Sequence, residues 1–199
     1  MFLTVMPTYF QNILQFDIKK NGILSALPYA ALATNIAIAS FIADGLRKCN
    51  KLSITAIRKI ANSLGLIGPA VCCLGIVAFS CQREMIVGVL CLALFLNGFA
   101  FSGFGVTHVD MSADFSGVTF GISNSVGNIA GILAPVVVSF LTASGDTVEN
   151  WNIAFYITAT VYITCALFYA FFASAELQPW GLVKREAMDV LLTHRPDIT

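Results

Sequence analysis

The sequence predicts an all-α polytopic membrane protein, and three observations carry that fold class. Of its 199 residues, 57% are hydrophobic and 11% are charged, less than half the roughly 25% charge of soluble domains. Mean hydropathy is correspondingly high, at +0.81. Five stretches supply the roughly 20 mostly apolar residues that a membrane-crossing helix needs. Lys, Arg, Asp and Glu fall between these stretches, leaving the expected membrane interiors uncharged. Eleven basic and eleven acidic residues cancel, which excludes the positive field of a nucleic-acid binder.

The elements follow in order. Residues 1–16 are apolar but short and contain Pro7, and read as the second part of a helix whose beginning is missing. Spans are then expected at 23–43, 60–80, 86–106, 118–142 and 153–173. The count is six transmembrane helices, the first truncated, in a bundle over residues 1–181. Residues 182–199 read as a solvated cytosolic tail.

Charge sets the orientation. Arg47, Lys48, Lys51, Arg58 and Lys59 lie between the second and third spans, and Lys184, Arg185 and Arg195 lie in the tail. The opposite side holds only Lys19, Lys20 and Arg83. Cytoplasmic loops retain Lys and Arg, so the long loop and the tail are expected in the cytosol. The segment from His108 to Asp114 then falls on the cytosolic side too.

The fifth span carries the clearest pattern. Gly117, Gly121, Asn124, Asn128, Gly131 and Pro135 recur at steps of three and four, which places them on one helix face. Two G-x-x-x-G pairs, Gly117/Gly121 and Gly127/Gly131, permit close helix approach. Asn124 and Asn128, with Ser123 beside them, are costly to expose to lipid. This face is either a tight helix contact or the lining of a transport path. Asn97 and Ser102, near Gly98, Gly103 and Gly105, give the fourth span a second small, polar surface. Pro7, Pro28, Pro69 and Pro135 suit the bent or broken helices common in transporters.

Between those spans stand His108, Asp110 and Asp114. An imidazole two residues from a carboxylate can relay protons. The alternative is a solvated turn in which Ser112 or Asp114 caps a helix start. Asp44 and Arg47, with Lys48 next, form a candidate charge pair joining helix ends. No H-E-x-x-H, G-x-S-x-G or Walker sequence is present, so no catalytic residue is expected. The six cysteines include no C-x-x-C and read as small hydrophobes, so neither a disulfide framework nor a metal site or cofactor is expected. Met1 opens an apolar run without a basic flank, and no cleavable signal peptide is expected.

Several separated motifs resemble one family. FDIKKNGILSALPY (16–29), FIADGLRK (41–48), GISNSVGNIAGILAPVV (121–137) and FASAELQPWG (172–181) are similar to the second half of major facilitator transporters. More narrowly they resemble the anion:cation symporters, the family of sialin, the vesicular glutamate transporters and the sodium–phosphate cotransporters. That family carries approximately Asn-His-x-Asp-Ile-Ala-Pro-x-Tyr-Ala after its tenth helix. His108 and Asp110 match it, while Thr107, Ser112, Ala113 and Phe115 depart. Glu149-Asn150-Trp151-Asn152 keeps a family spacing, and Ser40 stands where glycine is usual before Asp44, Arg47 and Lys48.

The resemblance implies that the spans are helices seven to twelve of a twelve-helix fold, with a substrate site between the halves. It also implies a gating role for Asp44, Arg47 and Lys48, and His108 and Asp110 stand beside them as candidate gating or hinge residues. The expected function is secondary active transport of an organic or inorganic anion coupled to a cation such as H+ or Na+. Asn97, Ser123, Asn124 and Asn128 would line the path. The implied partners are the small anion, the coupling cation, the lipid bilayer and a missing N-terminal six-helix half, and not nucleic acid. A plasma, lysosomal or vesicle membrane would each fit. The competing expectation is a non-transporting half that assembles with, or inhibits, a full-length relative.

Overall fold

The computed structural model describes residues 2–15, 18–78, 83–143 and 145–181, with side chains described throughout except at 2–4, 18–21 and 23–25. The expected tail at 182–199, the last two residues of the 60–80 span, and Phe16 and Asp17 of the first family motif lie outside the described residues.

All regular structure among the described residues is helical. Helix α1 is Phe2–Asn12, α2 is Ile18–Lys48 and α3 is Ile54–Ala78. Helix α4 (Arg83–Ala100) runs through a π-helical turn, Phe101–Gly105, into α5 (Val106–Met111). Helices α6 (Ser116–Leu141) and α7 (Val148–Phe172) follow, and a 3-10 turn occupies Pro179–Gly181. Five stretches are long and apolar enough to cross a membrane: Ala26–Lys48, Ile54–Ala78, Arg83–Met111, Ser116–Leu141 and Val148–Phe172. With 11 residues, α1 reaches only about 16 Å at 1.5 Å per residue. The chain is thus a multi-pass membrane protein with five helices of spanning length among the described residues and one short helix packed beside them.

Local chemistry explains the ends. Ser53 opens α3, its Oγ accepting the Ala56 N–H at 3.2 Å, and Thr147 opens α7 by accepting from Asn150 N at 3.2 Å. Each satisfies an orphan donor of a first turn. Asn50 sits at φ 54° in the turn after α2, a left-handed conformation that asparagine tolerates. Pro7, Pro28, Pro69 and Pro135 all lie inside continuous helices. None of these prolines interrupts its helix; the irregular turn is instead Phe101–Gly105.

Helices α2, α3 and α4 pack against one another, and α7 closes on α3. Glycine sets the approach. A Cβ at Gly98 would lie 2.6 Å from Asn35 Oδ1, and one at Gly103 would lie 2.6 Å from Asn62 Cβ. A Cβ on Gly65 would overlap the backbone of Ala100. Only glycine lets these backbones meet. The short α1 seats Tyr9 against Trp151 at a ring-centroid distance of 4.9 Å, with Phe155 at 5.3 Å. Phe10, Ile76, Leu90 and Leu94 fill the same apolar cluster. Outward faces are also apolar, with Phe41, Phe140 and Phe171 about four-fifths exposed, as a lipid-facing surface requires.

Two sequence expectations are corrected. His108 and Asp110 do not lie in a loop but in α5, because the helix continues past the π turn to Met111. Arg58 and Lys59 are not loop residues either, since Ser53 starts α3 one turn before them. The long helices therefore extend beyond the expected spans and carry charge at the end that also bears Lys48 and Lys51 (the basic end below).

Candidate functional site

The basic end is built around Asp110. Arg58 Nε donates to Asp110 Oδ2 at 2.8 Å, with both side chains nearly buried at 6% and 7% exposure. Arg58 NH1 also donates to the Ser102 carbonyl at 3.0 Å. That carbonyl belongs to the π turn, where regular i→i+4 pairing is interrupted. Arg47 of α2 approaches the other carboxylate oxygen at 3.7 Å, but its side chain is 56% exposed. One carboxylate thus gathers α2, α3 and α5. The buried contact is short and charge-assisted, whereas the exposed one is long and water-screened.

Hydroxyl groups extend this cluster. Thr107 Oγ1 donates to Gly103 O at 2.9 Å and so receives the Tyr169 hydroxyl of α7 at 2.6 Å. Ser102 Oγ donates to Ala39 O of α2 at 3.4 Å. The segment after α7 crosses over the same end. Ala175 N donates to Thr55 Oγ1 at 3.1 Å, Gln178 N to Met111 O at 2.9 Å, and Asp114 N to Gly181 O at 3.3 Å. A Cβ at Gly181 would stand 2.6 Å from Met111 O, so the strap lies flat because that residue is glycine. Between strap and helices is a cleft of about 530 Å³ whose polar wall includes Arg47, Thr55, Asp110 and Glu176.

His108 faces elsewhere. Two residues apart on a helix means about 200° of rotation, and the imidazole turns to α6 while Asp110 turns to α3. Its Nδ1 meets the Phe104 carbonyl at 3.0 Å and its Nε2 meets Ser123 Oγ at 2.8 Å. A carbonyl only accepts, so Nδ1 carries a proton, and Nε2 and the Ser123 hydroxyl share the second bond. A His108-to-Asp110 proton relay is not assembled here. Ser112 closes α5, donating to His108 O at 3.0 Å, rather than capping the start of α6. That start has Phe115 at its cap position, without a side-chain bond.

The remaining candidates divide into two groups. Asn97 donates its amide to Gly65 O at 3.0 Å, within the α3–α4 contact. Asp44 and Lys48 are exposed, and among the described residues Arg47 pairs with Asp110 and not with Asp44. On α6, Asn124 and Asn128 are exposed together with Gly117, Gly121, Gly127 and Gly131, while Pro135 is half-buried. A Cβ on any of those four glycines would meet nothing within 4 Å. Among the described residues nearly the whole of α6 is uncovered, its small, polar face included.

Arg58 is the residue that sequence reasoning left in a loop. Its signal was available: Arg58, Asn62, Gly65, Pro69, Cys72 and Ile76 recur at steps of four and three, all buried on α3. Asn35 was likewise passed over. It is fully buried on α2, and neither side-chain atom has a hydrogen-bond partner among the described residues.

No family model matches the chain. Among curated proteins it is 38% identical over 180 residues to a putative inorganic phosphate cotransporter of Drosophila melanogaster. It is 36% identical over 180 residues to sialin of Homo sapiens, and 38% identical over 179 residues to human vesicular glutamate transporter 2. The alignments take in 89%, 90% and 90% of this chain but 34%, 36% and 30% of the relatives. The chain therefore spans about a third of the length of the curated relatives it matches. These homologues are transporters, and they are the proteins that the four sequence motifs and the His108/Asp110 pair resemble.

Proposed function

We propose that this chain, a homologue of sialin, the vesicular glutamate transporters and inorganic phosphate cotransporters, is the C-terminal six-helix half of a secondary active transporter. Its substrate is a small organic or inorganic anion, with phosphate and glutamate the first candidates, and its coupling cation is H+ or Na+. The host is a plasma, lysosomal or vesicle membrane. The observation that carries this reading is the near-complete exposure of α6, its small, polar face included. Only 6% of its most apolar stretch is buried in the chain, against 22–44% for the other spans. Asparagines on a spanning helix need protein or water opposite them, and a second bundle enclosing an aqueous path supplies both.

In this reading Asn124 and Asn128, with Ser123, line the path, and Asn97 stiffens the helix pair behind it. The basic end is cytosolic and acts as the gate. Arg58 and Asp110 form its fixed part. The exposed Arg47 contact, flanked by Asp44 and Lys48, is the part that breaks when the two halves rock. His108 carries motion at the gate to α6 through Ser123.

The test is uptake of labelled phosphate or glutamate by the full-length protein in proteoliposomes, under imposed H+ or Na+ gradients. Replacing Asn124 and Asn128 together by Leu should abolish uptake while membrane insertion stays intact. Normal uptake by that variant removes the pathway assignment. The same uncovered face also suits a half that assembles with, or inhibits, a full-length relative. A native protein of 21.3 kDa that suppresses a relative's uptake and transports nothing itself would favour that second reading.

A further inference from the structure

Arg58 and Lys59 are consecutive on α3 and face different sides. Arg58 is buried on Asp110, whereas Lys59 is half-buried and has no ion-pair partner among the described residues. Lys59 stands at one end of a cleft of about 510 Å³ between α3 and α4, whose walls include Ser63, Leu64, Ile67, Gly68 and Leu96. Leu64 and Ile67 are about half exposed, so the cleft opens outward, toward lipid. Gly68 closes its deep end, where the missing side chain lets Leu96 of α4 lie against α3; a Cβ there would come within 2.8 Å of Leu96 Cδ1.

The dimensions and charge name an occupant. Lys59 and Gly68 are nine residues apart, about 13 Å along the helix, close to the roughly 15 Å hydrocarbon depth of one leaflet. The wall is apolar below its one cation and contains no acid. A basic residue at the membrane surface attracts anionic headgroups, and Lys48 and Lys51 at the same end add to that field. We propose that this cleft binds an anionic phospholipid from the leaflet at the basic end. Lys59 holds its phosphate, and one acyl chain lies along Leu64 and Ile67 to Gly68. The site is separate from α6 and does not depend on the transport reading. α3 packs chiefly on α4 and α7, whereas α6 touches α1, α5 and α7.

The experiment takes the full chain from its native membrane, strips bound lipid, and titrates phosphatidylserine against phosphatidylcholine with native mass spectrometry as the readout. Phosphatidylserine should be retained about fivefold better. Lys59→Ala should abolish the preference, Lys59→Arg should keep it, and Ile67→Trp should lose retention of both lipids by filling the cleft. Soluble glycerophosphoserine should not displace the lipid. The proposal is overturned if Lys59→Ala keeps the wild-type preference, if Ile67→Trp retains lipid normally, or if the soluble headgroup competes.

Discussion

Arg58 and Asp110 are 52 residues apart in sequence, yet Nε and Oδ2 meet at 2.8 Å in a nearly closed environment. Removing one partner of such a pair leaves an uncompensated buried charge. Asp110→Ala or Arg58→Ala should therefore lower stability by about 3 kcal/mol or more. The double change Arg58→Met with Asp110→Leu should recover a large part of that loss. Thermal unfolding of the four proteins in nanodiscs checks this, and additive losses in the double variant would sink the pairing.

Arg47 offers the contrast. At 3.7 Å and 56% exposed, its contact should contribute less than about 1 kcal/mol. Arg47→Ala should leave the unfolding temperature almost unchanged while altering the rate of uptake, since in the proposed function it is the part of the gate that opens. A large stability loss would instead mean that Arg47 belongs to the fixed cluster.

Glycines on α4 and the π turn should respond differently from those on α6 to one added methyl. Gly98→Ala and Gly103→Ala place a Cβ 2.6 Å from Asn35 Oδ1 or Asn62 Cβ, and overpacking of this kind costs about 1–3 kcal/mol. Gly121→Ala and Gly131→Ala meet nothing in this chain. They should be neutral for the bundle alone but should weaken its association with a second bundle, read by crosslinking or co-purification. Unchanged association would remove the close-packing role for the α6 glycines.

Ser123→Ala removes the α6 partner of His108 Nε2 while leaving the Phe104 bond in place. The expected stability change is modest, about 1 kcal/mol, with uptake reduced more than insertion. Uptake equal to wild type would mean that the α5–α6 bond does not couple gate to path.

The strap after α7 gives a last test. Thr55→Val deletes the acceptor of the Ala175 N–H while keeping the side-chain shape. Amides near Ala175 should then exchange hydrogen faster than in wild type, with the distant Tyr9–Trp151 contact unaffected. Equal exchange rates would show that other contacts hold the strap.

Much of the fold was legible because lipid enforces a simple rule. A chain in hydrocarbon must satisfy its backbone internally, so each long apolar run becomes a helix, and every expected span of full length coincides with one. Ends were less legible. The start of α3 depended on a single serine cap, and moving it to Ser53 changed Arg58 from a loop charge into a buried one. The π turn hid the site more thoroughly. Before it, Leu90, Leu94 and Gly98 repeat every four residues on the buried side; inside it the adjacent Ser102 and Gly103 are both buried, and after it Thr107 continues that side. One inserted residue rotates everything beyond it by about 100°, and periodicity read through Gly105 assigns the faces of His108 and Asp110 wrongly.

By itself, then, the sequence determined that the chain lives in a membrane, where its helices run, and that α6 carries a small, polar stripe unsuited to lipid. Hydropathy and residue spacing are local properties and needed no partner to be read. Tertiary structure alone decided which charges meet. Asp110 could have paired with a neighbour such as His108, but the π turn and the glycine contacts at Gly65, Gly98 and Gly103 bring it instead to an arginine 52 residues away. The tertiary structure also leaves α6 bare among the described residues, because α2, α3, α4 and α7 pack chiefly on one another and α6 only touches α1, α5 and α7.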